Sequence, residues 1–341
     1  MTVDLSALDT VQRVLFEIPL VPLQGHRFQP AGFPNLGAAT FQTRDGLCLL
    51  VESAQSMGNR LELTVWDQEN QDVKADLQGI SHVRVERKGS FLTDTILESH
   101  RLNSPYLLME SSKAFLNRLK EELGGLETGP IDRRRLAEVL LRYDVGSLLH
   151  GVFLAKKELA GGRLRVARAL SAFIEADGVR VAASGGVKND HVDPSGVTKD
   201  GFGNVPFARD EFTAEQITLY VNLDLAQIRG YGLGKDVERL LVLLALYKLR
   251  ALLDENLRLR TACDFRVDGN DEKHVVAKLP ADFMLPTLSK LSAALTGSDG
   301  SIAKCMDRME VAIAVFDDEF KKAKEEGNTT LSDDGTEAPE D

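Results

Sequence analysis

Two neighbouring stretches decide the fold, QITLYVNLDLAQI at residues 216–228 and DVERLLVLLALYKLRALL at residues 236–253. The first alternates polar and apolar side chains, which is typical of a strand with one buried face. The second repeats apolar side chains every three or four residues, which predicts a long amphipathic helix. A strand that leads into such a helix is a recurring part of α+β folds.

Other stretches supply the remaining elements of the same unit. Residues 14–20, VLFEIPL, predict the first strand, and Ala54, Met57 and Leu61 give residues 52–63 the spacing of a short helix. Further strands are predicted at residues 147–155, 168–176 and 257–265. The order matches an α+β, ferredoxin-like (RRM-like) βαββαβ unit that carries two large insertions.

The two insertions differ in composition. Residues 64–145 are mixed, with one helix capped by Ser111 or Ser112 and a second one capped by Asp132. Residues 184–210 are polar and contain five glycines. This second stretch is too long for an ordinary connection, so we interpret it as a functional excursion.

The C-terminal part follows a different pattern. Residues 269–324 carry no recognisable motif, and within them residues 302–324 predict a helix. Residues 325–341 are acidic and almost free of apolar side chains. Such a composition cannot repay the entropy of ordering, so this tail is expected to be disordered.

The net charge of −11 hides an uneven distribution. Residues 316–341 hold ten acids and three lysines, whereas residues 133–189 hold eleven bases and five acids. Phosphate binding depends on the local field rather than on the total charge. A basic middle is therefore compatible with RNA, although an ordinary solvated basic surface explains it equally well.

Several classes of protein are disfavoured by the sequence. The first ten residues, MTVDLSALDT, lack the pattern of a signal peptide, and no stretch is long and apolar enough for a membrane span. Cys48, Cys263 and Cys305 are far apart, without the spacing of a metal site. We expect reduced structural thiols, a cytoplasmic protein, and neither a metal nor a cofactor.

Longer strings carry a resemblance to a known family. They are VESAQSMGNRLE (51–62), LLHGVFLA (148–155), RALSAFIEADGVRVAASGGVKND (168–190), FGNVPFARDEFTAEQ (202–216), LDLAQIRGYGL (223–233) and LRLRTACDF (257–265). In this order they resemble the backbone subunit of type I-G (formerly I-U) CRISPR surveillance complexes, a member of the RAMP superfamily. The resemblance runs from about residue 14 to residue 265.

The resemblance implies a hand-shaped subunit. The implied ranges are a discontinuous palm at residues 1–63 and 146–268, a finger insertion at 64–145, a thumb at about 185–207, a C-terminal helical region at 269–324 and the acidic tail. The implied function is antiviral defence, in which the subunit binds CRISPR RNA without catalysis. Its implied partners are copies of itself, the large and processing subunits of the complex, and target DNA through the guide.

Candidate RNA-binding residues fall into three groups. The start of the first helix offers free N–H groups and polar or charged side chains, and the glycine pair of SGGVK lets a backbone form an anion nest. The alternating arginines between them could face the same groove. The candidates are Gln55, Ser56, Asn59 and Arg60; Arg163, Arg165 and Arg168; and Ser184, Gly185, Gly186 and Lys188.

Two enzymatic alternatives remain open at this point. GYGLGK at residues 230–235 invites a dinucleotide-binding interpretation, but its spacing is GxGxG rather than GxGxxG. Asp190 and Asp193 lie near the predicted thumb, and RAMP relatives in other systems cut RNA with a loop aspartate. No HExxH or GxSxG motif is present. The expectation is therefore a protein that is not an enzyme.

Overall fold

The computed structural model describes residues 3–33, 37–109, 112–124, 126, 129–255, 257–269, 274–297 and 299–319. These residues form a mixed α+β structure around one large antiparallel sheet, which confirms the α+β part of the predicted fold class. The predicted acidic tail at residues 325–341 lies outside the described residues. No helix in the described ranges has the length and apolar character that a membrane crossing requires.

Runs of strands are separated by single helices or groups of helices in the described part of the chain. The strands are β1 (Arg13–Pro22), β2 (Gly32–Phe33), β3 (Gly37–Ala38), β4 (Thr40–Thr43), β5 (Gly46–Glu52), β6 (Trp66–Asp67), β7 (Asp72–Val73), β8 (His82–Arg87), β9 (Ser90–Asp94), β10 (Val152–Leu154), β11 (Leu164–Val166), β12 (Leu170–Asp177), β13 (Arg180–Lys188), β14 (Val205–Thr213), β15 (Gln216–Asp224), β16 (Arg258–Arg260), β17 (Cys263–Val267) and β18 (Val311–Val315). The helices are α1 (Ala54–Leu63), α2 (Pro105–Leu108), α3 (Ala114–Glu122), α4 (Arg133–Tyr143), α5 (Val145–His150), α6 (Leu225–Gly230), α7 (Lys235–Asp254), α8 (Leu288–Leu295) and α9 (Ser301–Cys305).

The main sheet has the order β16-β17-β1-β15-β12-β5-β4, and its paired neighbours run antiparallel. Strand β12 shows why the sequence alternates, because its even-numbered residues from Leu170 to Ala176 are buried and the intervening ones are half-buried. Register is fixed across three strands, with Tyr220 opposite both Glu17 and Phe173. One face of the sheet therefore belongs to the core and the other carries polar side chains.

Helix α7 is the main helix of the core. Fifteen of its residues are buried, including Lys248 and Arg250. It begins after Gly234, whose φ of +91° favours glycine, and its first turn carries Asp236 and Glu238 at the positive end of the helix dipole. The predicted helix at residues 236–253 is confirmed.

A long hairpin stands between β12 and β15. Strands β13 and β14 pair from Arg180, opposite Thr213, to Lys188, opposite Val205. At its base Phe28 pairs with Phe212, and Phe28 is fully buried against Phe265. The excursion that the sequence indicated is thus an ordered hairpin on a packed base.

The C-terminal region corrects one prediction. The helix expected at residues 302–324 is present only as α9, and residues 311–315 form β18, which pairs in parallel with β8. The run VAIAV buries Ala312 and Ala314 and exposes the residues between them, a period of two that fits a strand. The region at 269–324 is therefore not purely helical, because its last strand completes the sheet β18-β8-β9.

Three shorter predictions are also corrected. Residues 147–155 were expected to form a strand, but the structure has α5 followed by β10, separated by Gly151. The strand expected to reach residue 228 ends at Asp224, whose side chain caps α6 by accepting from the Gln227 N–H at 2.8 Å. The strand expected at 257–265 is a hairpin of β16 and β17.

Helix starts in the insertion at 64–145 were predicted more closely. Asp132 caps α4 by accepting from the Arg135 N–H at 3.0 Å, as predicted. Ser112 accepts from the Ala114 N–H at 3.2 Å at the start of α3, whereas Ser111 lies outside the described residues.

Gly151 makes the change from α5 to β10 possible, and replacing it should destabilise the protein. Its φ of +78° and ψ of 160° fall in a region essentially limited to glycine, and a Cβ would stand 2.7 Å from the Val166 carbonyl oxygen. We expect Gly151→Ala to lower the free energy of unfolding by about 3 kcal/mol. Gly161→Ala is the matched control, because Gly161 has φ +74° with open space around its Cβ and should cost only about 1 kcal/mol. Equal losses in urea titrations of the two variants would contradict the role assigned to the close contact.

Candidate nucleic-acid interface

A groove of about 1390 Å³ runs between the insertion at 64–145 and the end of the main sheet. Its walls are the start of α4, the junction of α5 and β10, strand β11 and helix α6. Five arginines and one carboxylate lie along it, namely Arg101, Arg133, Arg163, Arg165, Arg168 and Asp224. The carboxylate is occupied by the cap of α6. The arginines outnumber the carboxylate, so the lining of the groove carries a net positive charge.

Two of these arginines hold the walls together. Arg163 donates to the carbonyl oxygens of Gly129 at 3.0 Å and Leu126 at 2.6 Å, which ties the loop before α4 to β11. Arg101 is buried and forms a two-pronged ion pair with Glu62, with 2.6 Å between its Nε and Glu62 Oε1. The sequence prediction placed Arg163 at an RNA surface, whereas its donors are used inside the protein.

The other three arginines are accessible. Arg133 and Arg165 are exposed, and Arg168 is half-buried with one donor on Gln55 Oε1. Arg165 lies opposite Phe153 on the β10-β11 hairpin, with its guanidinium 5.9 Å from the ring centroid. The guanidinium groups of these three arginines supply the groove with charged hydrogen-bond donors.

The floor of the groove is a buried charged cluster. Lys248 Nζ lies 2.9 Å from His150 Nε2, and Ser147 Oγ donates to Asp144 at 2.6 Å. Burial lowers the pKa of Lys248 to about 8. Burial, followed by the nearby Lys248, lowers the pKa of His150 well below its usual value, so this imidazole is neutral and accepts from the ammonium group.

The candidates on α1 divide between the groove and the core. Gln55 and Asn59 are exposed and bonded to each other at 3.2 Å, and Gln55 reaches the groove through Arg168. Ser56 and Arg60 turn instead to the buried carboxylate of Glu52, at 3.0 Å from Arg60 Nε.

Arg60 is held further by the hairpin of β16 and β17. It donates to the carbonyl oxygens of Arg258, at 3.1 Å, and Leu259. Arg260 is the second cation on Glu52. Glu52 is 1% exposed, so two arginines are needed to offset the cost of burying its charge.

The SGGVK segment has a different geometry from the one predicted. Ser184, Gly185, Gly186 and Lys188 all lie in β13, in extended conformation opposite β14, so the expected anion nest is wrong. A Cβ on Gly185 would stand 2.6 Å from the Phe207 carbonyl oxygen. The glycines are explained by this close approach of the two strands.

The groove and the hairpin lie at opposite ends of β12. The groove adjoins its first residue, Leu170, and the hairpin leaves after its last residue, Asp177. A strand of this length spans about 25 Å. The prediction that the arginines and SGGVK face one groove is therefore wrong for a single copy of the chain.

The open face of the sheet is acidic. Phe173 and Tyr220 stack there with centroids 5.1 Å apart, and Glu17, Glu175 and Asp177 share that face. RNA-recognition modules stack bases on aromatic side chains of such a sheet. Glu17 pairs with Lys278 at 3.1 Å, but Glu175 and Asp177 leave negative charge beside the aromatic pair, so the basic groove is the more favourable surface for an anion.

The features behind the enzymatic alternatives have structural roles. Asp190 accepts from the N–H groups of Val192, Asp193 and Gly203 at 2.8, 3.1 and 2.9 Å, and these bonds lower its pKa. Residues 230–235 join α6 to α7, whereas a dinucleotide site needs a strand before the glycines. Among the described residues, no group of three or more His, Cys, Asp or Glu side chains could hold a metal ion.

Sequence reasoning missed two residues of the groove, Phe153 and His150, and Lys248, which is bonded to His150. Phe153 sits in an apolar run that gave no sign of being exposed, and it is 53% exposed. His150 was treated as isolated and Lys248 as part of an amphipathic helix. The pair meets only in the folded chain, so no local pattern announces it.

The buried imidazole predicts an acid sensitivity. His150 takes up a proton in the unfolded chain near pH 6.5 but resists it in the folded state, because burial and then the nearby Lys248, Arg101 and Arg168 lower its pKa. Its contribution to stability is therefore present above pH 6.5 and is lost as the pH falls below it. We expect His150→Gln to reduce the drop in the free energy of unfolding between pH 7 and pH 5, by on the order of 1 kcal/mol. His26→Gln, on an exposed loop residue, is the control and should leave the drop unchanged. If the free energy of unfolding fell equally in wild type and His150→Gln, His150 would not be the source of the acid sensitivity.

Comparisons with known proteins agree with the resemblance over part of the chain. The chain is similar in structure to one described as "CRISPR RNA-guided surveillance complex, pre-nicking", with a TM-score of 0.40 and 15% identity, covering 87% of this chain and 84% of the other. No curated protein matches it. Residues 14–181 match the family model described as CRISPR-associated protein GSU0053. From β1 to the first residues of β13, the chain is thus similar to the GSU0053 family of CRISPR-associated proteins.

Proposed function

We propose that this chain is a non-catalytic backbone subunit of a type I-G CRISPR surveillance complex and binds guide RNA. The observation that carries the proposal is the arginine-lined groove, which lies partly within the residues that match the CRISPR-associated family. A volume of 1390 Å³ exceeds the roughly 300–1,000 Å³ of a small-molecule site, so an extended anion fits it better than a metabolite.

The palm of this subunit is a ferredoxin-like unit. Taking β1, β12, β15 and β17 as its four strands, their spatial order is fourth, first, third, second, with antiparallel neighbours. Helix α1 precedes the second strand and α7 precedes the fourth, as βαββαβ requires. The hairpin of β13 and β14 is the thumb, and the elements between α1 and β12 include the fingers.

The thumb supports assembly with further copies of the chain. It exposes Val181, Val187 and Phe207 along its paired strands, although the hairpin base is firmly packed. Exposed apolar side chains on an ordered hairpin are suited to packing against the surface of a partner protein. Copies assembled in this way along a guide would leave its bases free to pair with target DNA, and the large and processing subunits would complete the complex in the cytoplasm.

RNA binding is tested by removing the accessible arginines. Arg165→Ala combined with Arg168→Ala should weaken binding to two unrelated guide strands alike, because phosphate contacts carry no sequence information. The slope of log K against log salt should flatten by about 0.7 per lost contact. Arg44→Ala is the matched control, since Arg44 is exposed on the turn between β4 and β5, at the other end of the sheet. An unchanged slope and affinity in the double variant would place the RNA elsewhere.

The protein itself should not cut nucleic acid. Asp190 is fixed by three backbone N–H groups and its lowered pKa makes it a weak base. Purified protein incubated with matched RNA and DNA in the presence of Mg²⁺ or Mn²⁺ should leave both intact. Cleavage that disappears in Asp190→Ala or Asp193→Ala would instead establish the ribonuclease alternative.

A further inference from the structure

The β10-β11 hairpin presents an aromatic side chain to the basic groove. Its inner face is buried through Val152, Leu154 and Leu164, which anchors the hairpin to the core. Its outer face carries the cross-strand pair Phe153 and Arg165, and both line the groove. The aromatic ring is thus held in place by the packing of its neighbours on the opposite face.

Exposure of Phe153 is unusual for this part of the molecule. The ring is 53% exposed, whereas its neighbours on β10 are at most 8% exposed. About half of the ring stays in contact with water, so burial of its apolar surface contributes less to stability than it could. A polar residue at this position would lose nothing by the same exposure. Arg165 lies over the ring but is itself exposed, so it leaves the pair open to a ligand.

We infer that Phe153 stacks with an unpaired base of the strand bound in the groove, while Arg165 and Arg168 hold the adjoining phosphates. This inference rests on the proposed RNA binding and adds the mode of contact. An aromatic ring beside a basic track is the arrangement by which proteins hold single strands, because every base has a π-face. The ligand class is single-stranded nucleic acid, and the stacked contact tolerates any base.

The acidic open face of the main sheet carries a second aromatic surface, which can be compared with Phe153 in the groove. Phe173 and Tyr220 also form an aromatic surface, but Glu17 lies opposite Tyr220 and Glu175 is on the same face. The groove that Phe153 lines has five arginines and one carboxylate, Asp224. Of these two aromatic surfaces, the ring in the groove is the one whose surroundings attract phosphate.

The experiment compares aromatic and non-aromatic side chains at one position. Phe153→Ala and Phe153→Leu should each weaken binding of an oligoadenylate RNA by about 5- to 100-fold, since stacking one base contributes about that much affinity. Phe153→Tyr should bind as wild type does. The salt slope should stay unchanged in all three, because no phosphate contact is lost. Phe41→Ala, on an exposed ring of β4, is the matched control and should bind normally.

A second readout reports the stacking itself. The only tryptophan of the chain, Trp66, is buried, so Phe153→Trp adds an exposed indole whose emission can be followed. Oligoadenylate should quench this emission, and a strand of the same length without bases should not. Quenching by both strands, or full affinity in Phe153→Leu, would overturn the inference. Failure of wild type to bind either strand would instead refute the proposed function.

Discussion

The pairing of buried charges holds the rest of the structure in position. Glu62 comes from α1, Arg101 from the insertion and Lys248 from α7, and all three are less than 9% exposed. A charge at such a depth costs several kcal/mol unless a partner of opposite sign meets it. Arg101 even adopts a left-handed backbone, with φ of +49°, where it meets Glu62. The insertion is therefore fixed against the palm, and the groove between them is a defined surface.

Positive and negative side chains lie on separate surfaces, the groove and the open face of the main sheet. The groove combines accessible arginines with a neutral His150, which leaves Lys248 as a cation beneath it at pH below about 8. The open face carries carboxylates, and Glu175 has its pKa raised there by burial and then by Asp177. This separation explains how a chain with a net charge of −11 can still present a basic surface.

Local patterns predicted the framework of the fold but not its details. Alternation and helical spacing placed β1, β12, β15 and α7, because each of these buries one face and its period is visible in the sequence. Strand β18 was mistaken for a helix, since its partner β8 lies far away along the chain and five residues are too few to define a period. Helix α6 was missed although Asp224 is a good capping residue, because the alternation of β15 continues into it.

The candidate site was predicted less well than the fold. Composition identified the basic segment, yet it could not tell Arg163, bound to two loop carbonyl oxygens, from the exposed Arg165. The same limit applies to Arg60, whose partners come from the hairpin of β16 and β17. Glycines at 185 and 186 indicated backbone freedom, but the structure uses them for close strand contact. These distinctions depend on groups brought together by tertiary structure.

Strand β18 has a consequence for how the chain is made. Val311 pairs with His82, so the sheet that includes β8 cannot close until β18, more than 200 residues later, has left the ribosome. Until then β8 presents an unpaired edge, which is the kind of surface that attracts foreign strands. Contacts of such long sequence separation also slow folding, since the loop between the partners must be closed first. Between the synthesis of β17 and that of β18, the main sheet is able to form while the second sheet is still open.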